Sequence, residues 1–591
     1  MRQCGRGFLK WVLVIVASSC TRMSAVASTV DAIELGLSVR DIAIDSEWRA
    51  VADRPTFEKK RSEFRQSFRK AIGFHGIPRT PLNARAMGAK DYGAFRIEKA
   101  MIESAPGEYV PLLIFLPDAR RFPPPYAGFV FIPGHADNGK ANAKYLATCE
   151  LGARYGLASV IYDPLGQGER SQGAGLLNVD EHVRIGAYAV LIGETTATYM
   201  LRDAVRVLDY FESRPDIDAA RLGAFGQSGG GTMCSFLMAA DGRIKAAAPT
   251  SYLSSARGHI TACGPQDAEQ IFFDWCSWGF NHAALVFAAE CPVHINASED
   301  DSFPIAGTRS TYRLVKEVAA KVGLPDDWYG LTVAPGMHGL KKEHREQGIR
   351  FLLKHLKGET VDVVETETTQ LPEADVTVTP DGCVSHLPGF RPVYDDIADK
   401  FVQLGVSAGQ AAQNAKPLVL KELGGMDCKE VLATLKGDFR EGNRAVLRIG
   451  GAAEAGEASA TLFAEGSRYV PKLLRWGHWN PVTHKGRFSY YENRRDDEVV
   501  AVDLYLAGRS LVALRAAELL TLADEIRSRT GFAPELVAEG RFATVAKFAL
   551  AADRAAFASV RYLNEPKPFL ESLKAREYLS FADSGAIYAG R

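Results

Sequence analysis

A chain of 591 residues is too long to close around one hydrophobic core and predicts two or three domains. Hydrophobic residues make up 47% and charged residues 24%, which excludes a chain too polar to fold. Lys plus Arg (70) nearly cancels Asp plus Glu (71), leaving a net charge of -1 and no basic run, so binding to nucleic acid or another polyanion has no electrostatic support.

The chain opens on positive charge (Arg2, Arg6, Lys10), then the apolar stretch Trp11–Ala17, then a small-x-small site at Ala25-Val26-Ala27. This is the pattern of a signal peptide over residues 1–27, and its apolar stretch is short for a bilayer span. Export to the periplasm or beyond is expected, with no stable membrane span. A short anchor, a buried helix and a lipoprotein attached at Cys20 are the alternatives. Removing the segment leaves cysteines at 149, 234, 263, 276, 291, 383 and 428, with no C-x-x-C pair to favour zinc or dithiol redox chemistry. Cys263 and Cys276 could join in an oxidising compartment, and the odd count leaves at least one thiol free. Mostly buried thiols are the other reading.

Residues 28–92, rich in charge and Arg, read as a helical lead-in packed on the domain next to it. From 93 to 359, strand-like and helix-like segments alternate. The β-rich runs are Gly93–Ile102, Tyr109–Leu116, Tyr126–Ile132, Leu157–Tyr162, Arg221–Phe225, Ile244–Pro249, Pro292–Ala297 and Tyr329–Ala334. Helical patterns include Lys144–Tyr155, Thr195–Phe211, Ser228–Ala240, Gly307–Val322 and Glu343–Leu356. The alternation predicts an α/β domain with a mostly parallel, doubly wound sheet covered on both faces. The acidic, Thr/Val-rich stretch 360–378 has no long apolar run and reads as a connector into a second domain, 379–591.

That second domain carries a weak echo of the first. Phe548-Ala549-Leu550-Ala551-Ala552-Asp553 matches Phe236-Leu237-Met238-Ala239-Ala240-Asp241, and carrying the offset back sets Gly540 opposite Ser228. Val500–Asp503 matches Val160–Asp163, and Leu514–Ala517 matches Leu201–Ala204. Read as a duplication, the second domain is a degenerate, truncated copy without a nucleophile; chance similarity is the alternative.

The run Gly226-Gln227-Ser228-Gly229-Gly230 follows a strand-like segment and precedes a helix. A G-x-S-x-G there is a nucleophile elbow, a turn so sharp that only glycine fits beside the serine. The helix that comes next aims its positive end and free N–H groups at the serine. A serine alcohol near neutral pH needs a base to take its proton. Chain order in such sites is Ser, acid, His, and His338 lies just after the last strand-like run and before the final helix. His282 and His294 precede the expected acid, while His344 and His355 fall on a helix. The acid belongs on the loop Ser298-Glu299-Asp300-Asp301-Ser302-Phe303-Pro304, where three adjacent carboxylates leave the choice open. Two N–H donors for an oxyanion are expected, one from Gly229 and one near His135 in the loop 132–137. No metal or organic cofactor is required. Gly166-Gln167-Gly168-Glu169-Arg170 lacks the spacing of a nucleotide-binding loop. Gln266, Asp267 and Glu269, in GPQDAEQ, border the pocket or brace a loop over it, and bracing is the plainer role.

Together these residues resemble the acetyl xylan esterase-like branch of the α/β-hydrolases, a group with large exported bacterial members, over about residues 95–357. The likeness is carried by PGHADNGK, YDPLGQGERSQ, FGQSGGGT, GPQDAEQ, DSFPIAGTRSTY and the final MHG. The resemblance implies a nucleophile at Ser228, a base at His338 and an acid at Asp301, the last from a pattern like D-x-F-P-I-x-G-T-R. Asp300, an extra acidic residue beside that pattern, is the second choice. It also implies removal of small acyl groups, acetyl foremost, from a polysaccharide or its oligomers. A serine peptidase on the same fold and a non-catalytic glycan-binding protein are the rivals. The lack of any propeller repeat counts against the first, and the intact Ser-Asp-His set against the second.

Overall fold

Unbroken apolar runs make strands that are buried on both faces, and alternation along them feeds two cores. Val130, Val160 and Ala224 enter one hydrophobic cluster, while Phe129, Phe131, Ile161 and Phe225 enter another. The computed structural model describes residues 29–74, 80–173, 175–262, 264–366 and 368–405. Further on it describes 415–417, 419–422, 445–451, 458–464, 467–469, 501, 504–506, 508, 510–540, 542–565 and 571.

The strands are β1 Arg85–Asp91, β2 Phe95–Ala105, β3 Glu108–Pro117, β4 Tyr126–Ile132, β5 Ala158–Tyr162, β6 Ile217–Gln227, β7 Ile244–Thr250, β8 Val293–Asp300 and β9 Tyr329–Met337. They form one nine-stranded sheet in the order β1-β2-β3-β5-β4-β6-β7-β8-β9. The β1–β2, β2–β3 and β3–β5 pairings are antiparallel. Every pairing from β5 onward is parallel. This is the mostly parallel α/β sheet that the sequence pattern predicts.

The main helices are α1 Thr29–Arg49, α2 Arg54–Ala71, α3 Ala143–Arg154, α4 Val179–Ala189, α5 Thr196–Glu212, α6 Gly229–Ala240, α7 Ile305–Lys321, α8 Lys342–Lys357 and α9 Val393–Leu404. α3 and α8 pack on one face, α5 and α6 on the other. The lead-in helix α2 braces the end of α6: Arg65 Nε donates to Ala239 O at 3.1 Å and an Arg69 guanidinium nitrogen donates to Ala240 O at 2.8 Å. Cations on the last carbonyls of a helix satisfy acceptors that the helix itself cannot.

Three expectations need correction. Residues 85–91 are a strand, not part of a helical lead-in; β1 is almost wholly exposed, so its structure comes from pairing with β2 at the sheet edge and not from an apolar pattern. Of the Val500–Asp503 match to strand β5 only Ala501 lies among the described residues, and its backbone is helical, as is that of residues 504–506. The beginning of the stretch 379–591, expected to be a second domain, belongs with the first, because α9 packs on α4 and the turn after it. Tyr394 hydroxyl donates to Glu181, Val393 N–H donates to Gln172 Oε1 at 3.0 Å, and a guanidinium nitrogen of Arg202 meets Asp396 at 3.0 Å.

A second, five-stranded sheet comes later in the chain: β10 Ala445–Gly451, β11 Ala458–Ala464, β12 Ser467–Tyr469, β13 Glu535–Glu539 and β14 Ser559–Leu563, in the order β12-β11-β10-β13-β14. β10, β13 and β14 run parallel, with α10 Leu511–Thr530 before β13 and α11 Phe542–Ala552 after it. These elements share their own apolar cluster. The turn between β13 and α11 contains Gly540, at φ +57°. Cys149, Cys234 and Cys291 are buried free thiols, and burial pushes the first and last up to about 12. The signal-peptide segment, Cys20, Cys263 and Cys428 lie outside the described residues, and with them the expected Cys263–Cys276 pairing. Among the described residues, no helix is long and apolar enough to cross a membrane.

Candidate active site

β6 ends at Gln227 and α6 begins at Gly229, so Ser228 alone makes the turn between them. Its φ of 58° and ψ of -123° are costly for any residue that carries a β-carbon. Two backbone bonds hold it there: Ser228 N–H to Thr250 O at 3.0 Å and Thr232 N–H to Ser228 O at 2.9 Å. The flanking glycines are a steric requirement. A β-carbon on Gly226 would stand 2.0 Å from Gly230 O, and one on Gly230 would stand 1.9 Å from Ile132 O. Ser228 therefore sits at the carboxyl ends of β6 and β4, where the helices after the two strands cover opposite faces. That is where open α/β sheets take their ligands.

His338 follows β9 and Asp301 follows β8. Ser228 Oγ donates to His338 Nε2 at 2.9 Å, and His338 Nδ1 donates to Asp301 Oδ1 at 2.7 Å. The carboxylate partner on Nδ1 fixes the tautomer that leaves Nε2 free to accept a proton. Asp301 also accepts from Phe303 N–H at 3.1 Å. Burial alone would raise its carboxyl, but the His338 hydrogen bond and charge, with the Phe303 N–H, hold it below the ordinary value. Asp300, the last residue of β8, is exposed, so the structure brings Asp301 and not Asp300 to His338. Gln227 Nε2 lies 3.3 Å from His338 Nε2, and Gln227 Oε1 accepts from the Tyr145 hydroxyl at 3.0 Å. The other sequence candidates are held elsewhere. His282 Nδ1 accepts from Ser254 N–H at 2.8 Å, and His344 Nε2 donates to Ala297 O at 2.8 Å.

Gly229, as the first residue of α6, has an N–H with no acceptor inside the helix. The loop carrying His135 lies against it, and a β-carbon on Gly229 would stand 2.6 Å from His135 Nε2 and 3.2 Å from Glu269 Oε1. The His135 ring is thus packed against Gly229, and a buried polar cluster lies behind them. His135 Nε2 is 2.7 Å from Asp267 Oδ2 and 3.6 Å from Glu269 Oε2. His182, on α4, contacts the same Asp267 oxygen through Nδ1 and donates from Nε2 to Leu165 O at 2.6 Å. Burial alone would lower His135, but Asp267 and Glu269 push it up to about 10. Burial likewise raises Glu269, and this outweighs the pull of His135.

GPQDAEQ braces its surroundings, the plainer of the two roles expected of it. Asp267 and Glu269 are buried in this cluster, while Gln266 Nε2 reaches Ser302 Oγ at 3.1 Å on the Asp301 loop. Sequence reasoning missed His182. It lies in a helix far along the chain from Asp267, and its only local signal is a histidine on the buried face of α4.

No protein-family model matches the chain, and no curated protein matches it either. Among solved structures, the methylesterase BT1017 is 20% identical, with 63% of this chain and 81% of that one covered and a TM-score of 0.48. A glucuronoyl esterase from Solibacter usitatus is 16% identical, with 51% of this chain and 93% of that one covered and a TM-score of 0.42. A carbohydrate esterase family 15 glucuronoyl esterase from Caldicellulosiruptor kristjansonii is also 16% identical, with 55% and 91% covered and a TM-score of 0.37.

Proposed function

We propose that this α/β-hydrolase is a serine carboxylic-ester hydrolase that removes acetyl groups from polysaccharides or oligosaccharides. The observation that carries the reading is the unbroken Ser228–His338–Asp301 hydrogen-bond chain, 2.9 and 2.7 Å, at the carboxyl ends of β6, β9 and β8. Ser228 Oγ attacks the ester carbonyl while His338 Nε2 takes its proton, forming a tetrahedral adduct. Gly229 N–H and an N–H of the His135 loop stabilise the oxyanion. His338 returns the proton to the departing alcohol, leaving an acyl-serine. Water then attacks that acyl carbon with His338 again as base, releasing the acid and restoring Ser228. The acetyl-carbohydrate substrate rests on the motif resemblance over about residues 95–357.

In the same reading the second sheet is non-catalytic. The sequence offset aligns Gly540, which has no alcohol, with Ser228, so one active site per chain is expected. The chain is exported by its N-terminal segment and takes an ester substrate, with no nucleic-acid partner.

The test pairs p-nitrophenyl acetate with an aminoacyl-anilide, and adds acetate release from acetylated polysaccharides. Ester turnover that exceeds anilide turnover, and that falls about 10⁶-fold in Ser228→Ala, is the expected result. Faster anilide cleavage would establish a peptidase, and a fully active Ser228→Ala would remove the serine mechanism.

A further inference from the structure

We propose that His135, His182, Asp267 and Glu269 form a binding site for one divalent cation of the zinc type. Their four donor atoms, two imidazole nitrogens and two carboxylate oxygens, all lie within 4.8 Å of one another. They come from three separate parts of the chain: the loop after β4, helix α4, and the turn at 267–270.

The independent sign is Glu269. It is fully buried, and neither carboxylate oxygen accepts a hydrogen bond. Leaving a buried carboxylate in that condition costs several kcal/mol unless a cation meets it. The nearest cationic group is His135 Nε2, at 3.6 Å, beyond hydrogen-bond range.

His182 is already oriented as a ligand. Its Nε2–H donates to Leu165 O at 2.6 Å, which leaves Nδ1 directed at Asp267 across a shared proton that an ion would replace. Metal-bound imidazoles are held in this way, one nitrogen on the ion and the other on a carbonyl or carboxylate. Two imidazoles with two carboxylates suit zinc and disfavour calcium or magnesium, which select all-oxygen sets. The two carboxylates also balance the charge of a dication. With zinc–ligand bonds of about 2.0–2.2 Å, tetrahedral donors stand on the order of 3.3 Å apart. The observed 2.7 Å (His135 to Asp267) and 3.6 Å (His135 to Glu269) lie either side of that value. Drawing in the wider pairs, which span up to 4.8 Å, and opening the His182–Asp267 contact admits the ion, which displaces the protons now shared across the cluster.

The ion ties the His135 loop to the GPQDAEQ turn directly behind Gly229, holding the backbone that faces Ser228 in place. Its presence does not depend on the esterase reading, because Ser228 is not a ligand.

The test uses the full chain, incubated with zinc, freed of excess by gel filtration and analysed for metal by mass spectrometry. About one zinc per chain is expected in the wild type and in Ser228→Ala. The zinc should fall at least tenfold in His182→Ala and Glu269→Gln, both checked for folding by circular dichroism. Cobalt loading should give a visible d–d absorption band that these two variants lack. Added zinc should raise the wild-type Tm and leave theirs unchanged. A wild-type chain that retains less than about a tenth of an ion overturns the proposal whatever the variants do. Equal zinc in wild type and in folded variants also overturns it, by placing the metal elsewhere.

Discussion

Asp301 holds His338 through a single oxygen, Oδ1 to Nδ1 at 2.7 Å, while Asp300, one residue earlier, is exposed. One step along the chain separates a carboxylate that meets His338 from one that faces water. Asp301→Asn should lower kcat by about 10⁴, because an amide can present a donor to Nδ1 and stabilise the wrong tautomer. Asp300→Asn should leave kcat within about twofold, as a surface substitution away from the machinery does. Steady-state assays of the two variants side by side decide the assignment. The inverse pattern would make Asp300 the acid.

Gly230 and Ile132 set a second expectation. A β-carbon on Gly230 would sit 1.9 Å from Ile132 O, a backbone atom at the end of β4 that cannot swing aside as a side chain can. Gly230→Ala should therefore push α6 away from β4 and cost about 1–3 kcal/mol or more in stability. Because α6 and the His135 loop meet at this contact, turnover should fall more than stability alone accounts for. Thermal unfolding together with kcat at a temperature where the variant is fully folded separates the two effects. Gly175→Ala is the control, since nothing lies within 4 Å of a β-carbon there, although its φ of +72° adds backbone strain.

Ser228 and His338 were legible because each is fixed by a local event, a strand handing over to a helix, or a loop after the last strand. Asp301 was legible only through resemblance. Three acids in a row lie at the end of β8, and which of them turns inward depends on the residue at which the strand stops, a boundary that pattern reading places to within one or two residues. β1 was not legible at all, since an exposed edge strand has no apolar alternation and takes its structure from its partner. His182 was hidden for a different reason. Its relation to Asp267 exists only once α4 packs on the 267–270 turn. The boundary near 378 misled because a composition change marks where the apolar runs stop, not where packing stops.

That packing leads to a truncation experiment. α9 contributes Val393, Tyr394 and Ile397 to the main core, and Arg202 bridges Glu108 and Asp396 beneath it. A chain ending at Lys357 uncovers these buried charges and the apolar face of α4. It should be insoluble, or melt well below the full-length protein. A chain ending at Gly405 retains α9 with its left-handed C-terminal glycine and should recover most of that loss. Leu504, Tyr505 and Leu506 also belong to the main core, so recovery should be incomplete. Soluble yield and Tm of the two truncations report the difference, and equal behaviour would mean that α9 adds nothing.

Lys140, Asp163 and Glu169 brace the other side of the loop that carries His135. Lys140 Nζ lies 2.7 Å from Asp163 Oδ2 and also contacts Glu169, and all three groups are buried. Asp163 additionally accepts from the backbone N–H groups of Lys140 and Glu169, at 2.8 and 3.1 Å. Glu169 in turn accepts from Val378 N–H at 2.9 Å and Thr379 N–H at 2.6 Å, clamping the end of the connector to the loop after β5. Lys140→Met leaves two buried carboxylates facing each other and should cost about 3–5 kcal/mol. Adding Asp163→Asn and Glu169→Gln removes the stranded charges and should restore part of that loss. The Glu169 and Lys140 contributions each have a definite sign, opposed by Asp163, whose carboxyl burial raises despite Lys140. Burial would raise Glu169, but Lys140 and the Thr379 donors more than offset this and lower it. Its contribution to stability is therefore present above the unfolded carboxyl value of about 4.3 and lost as pH falls through the lower folded value. Lys140 is raised, its burial outweighed by the two carboxylates, so its contribution holds below about pH 10 and is lost only in stronger alkali. Urea midpoints for wild type and Lys140→Met should differ most between these limits and converge in acid, with unchanged m-values showing that stability rather than compactness has moved.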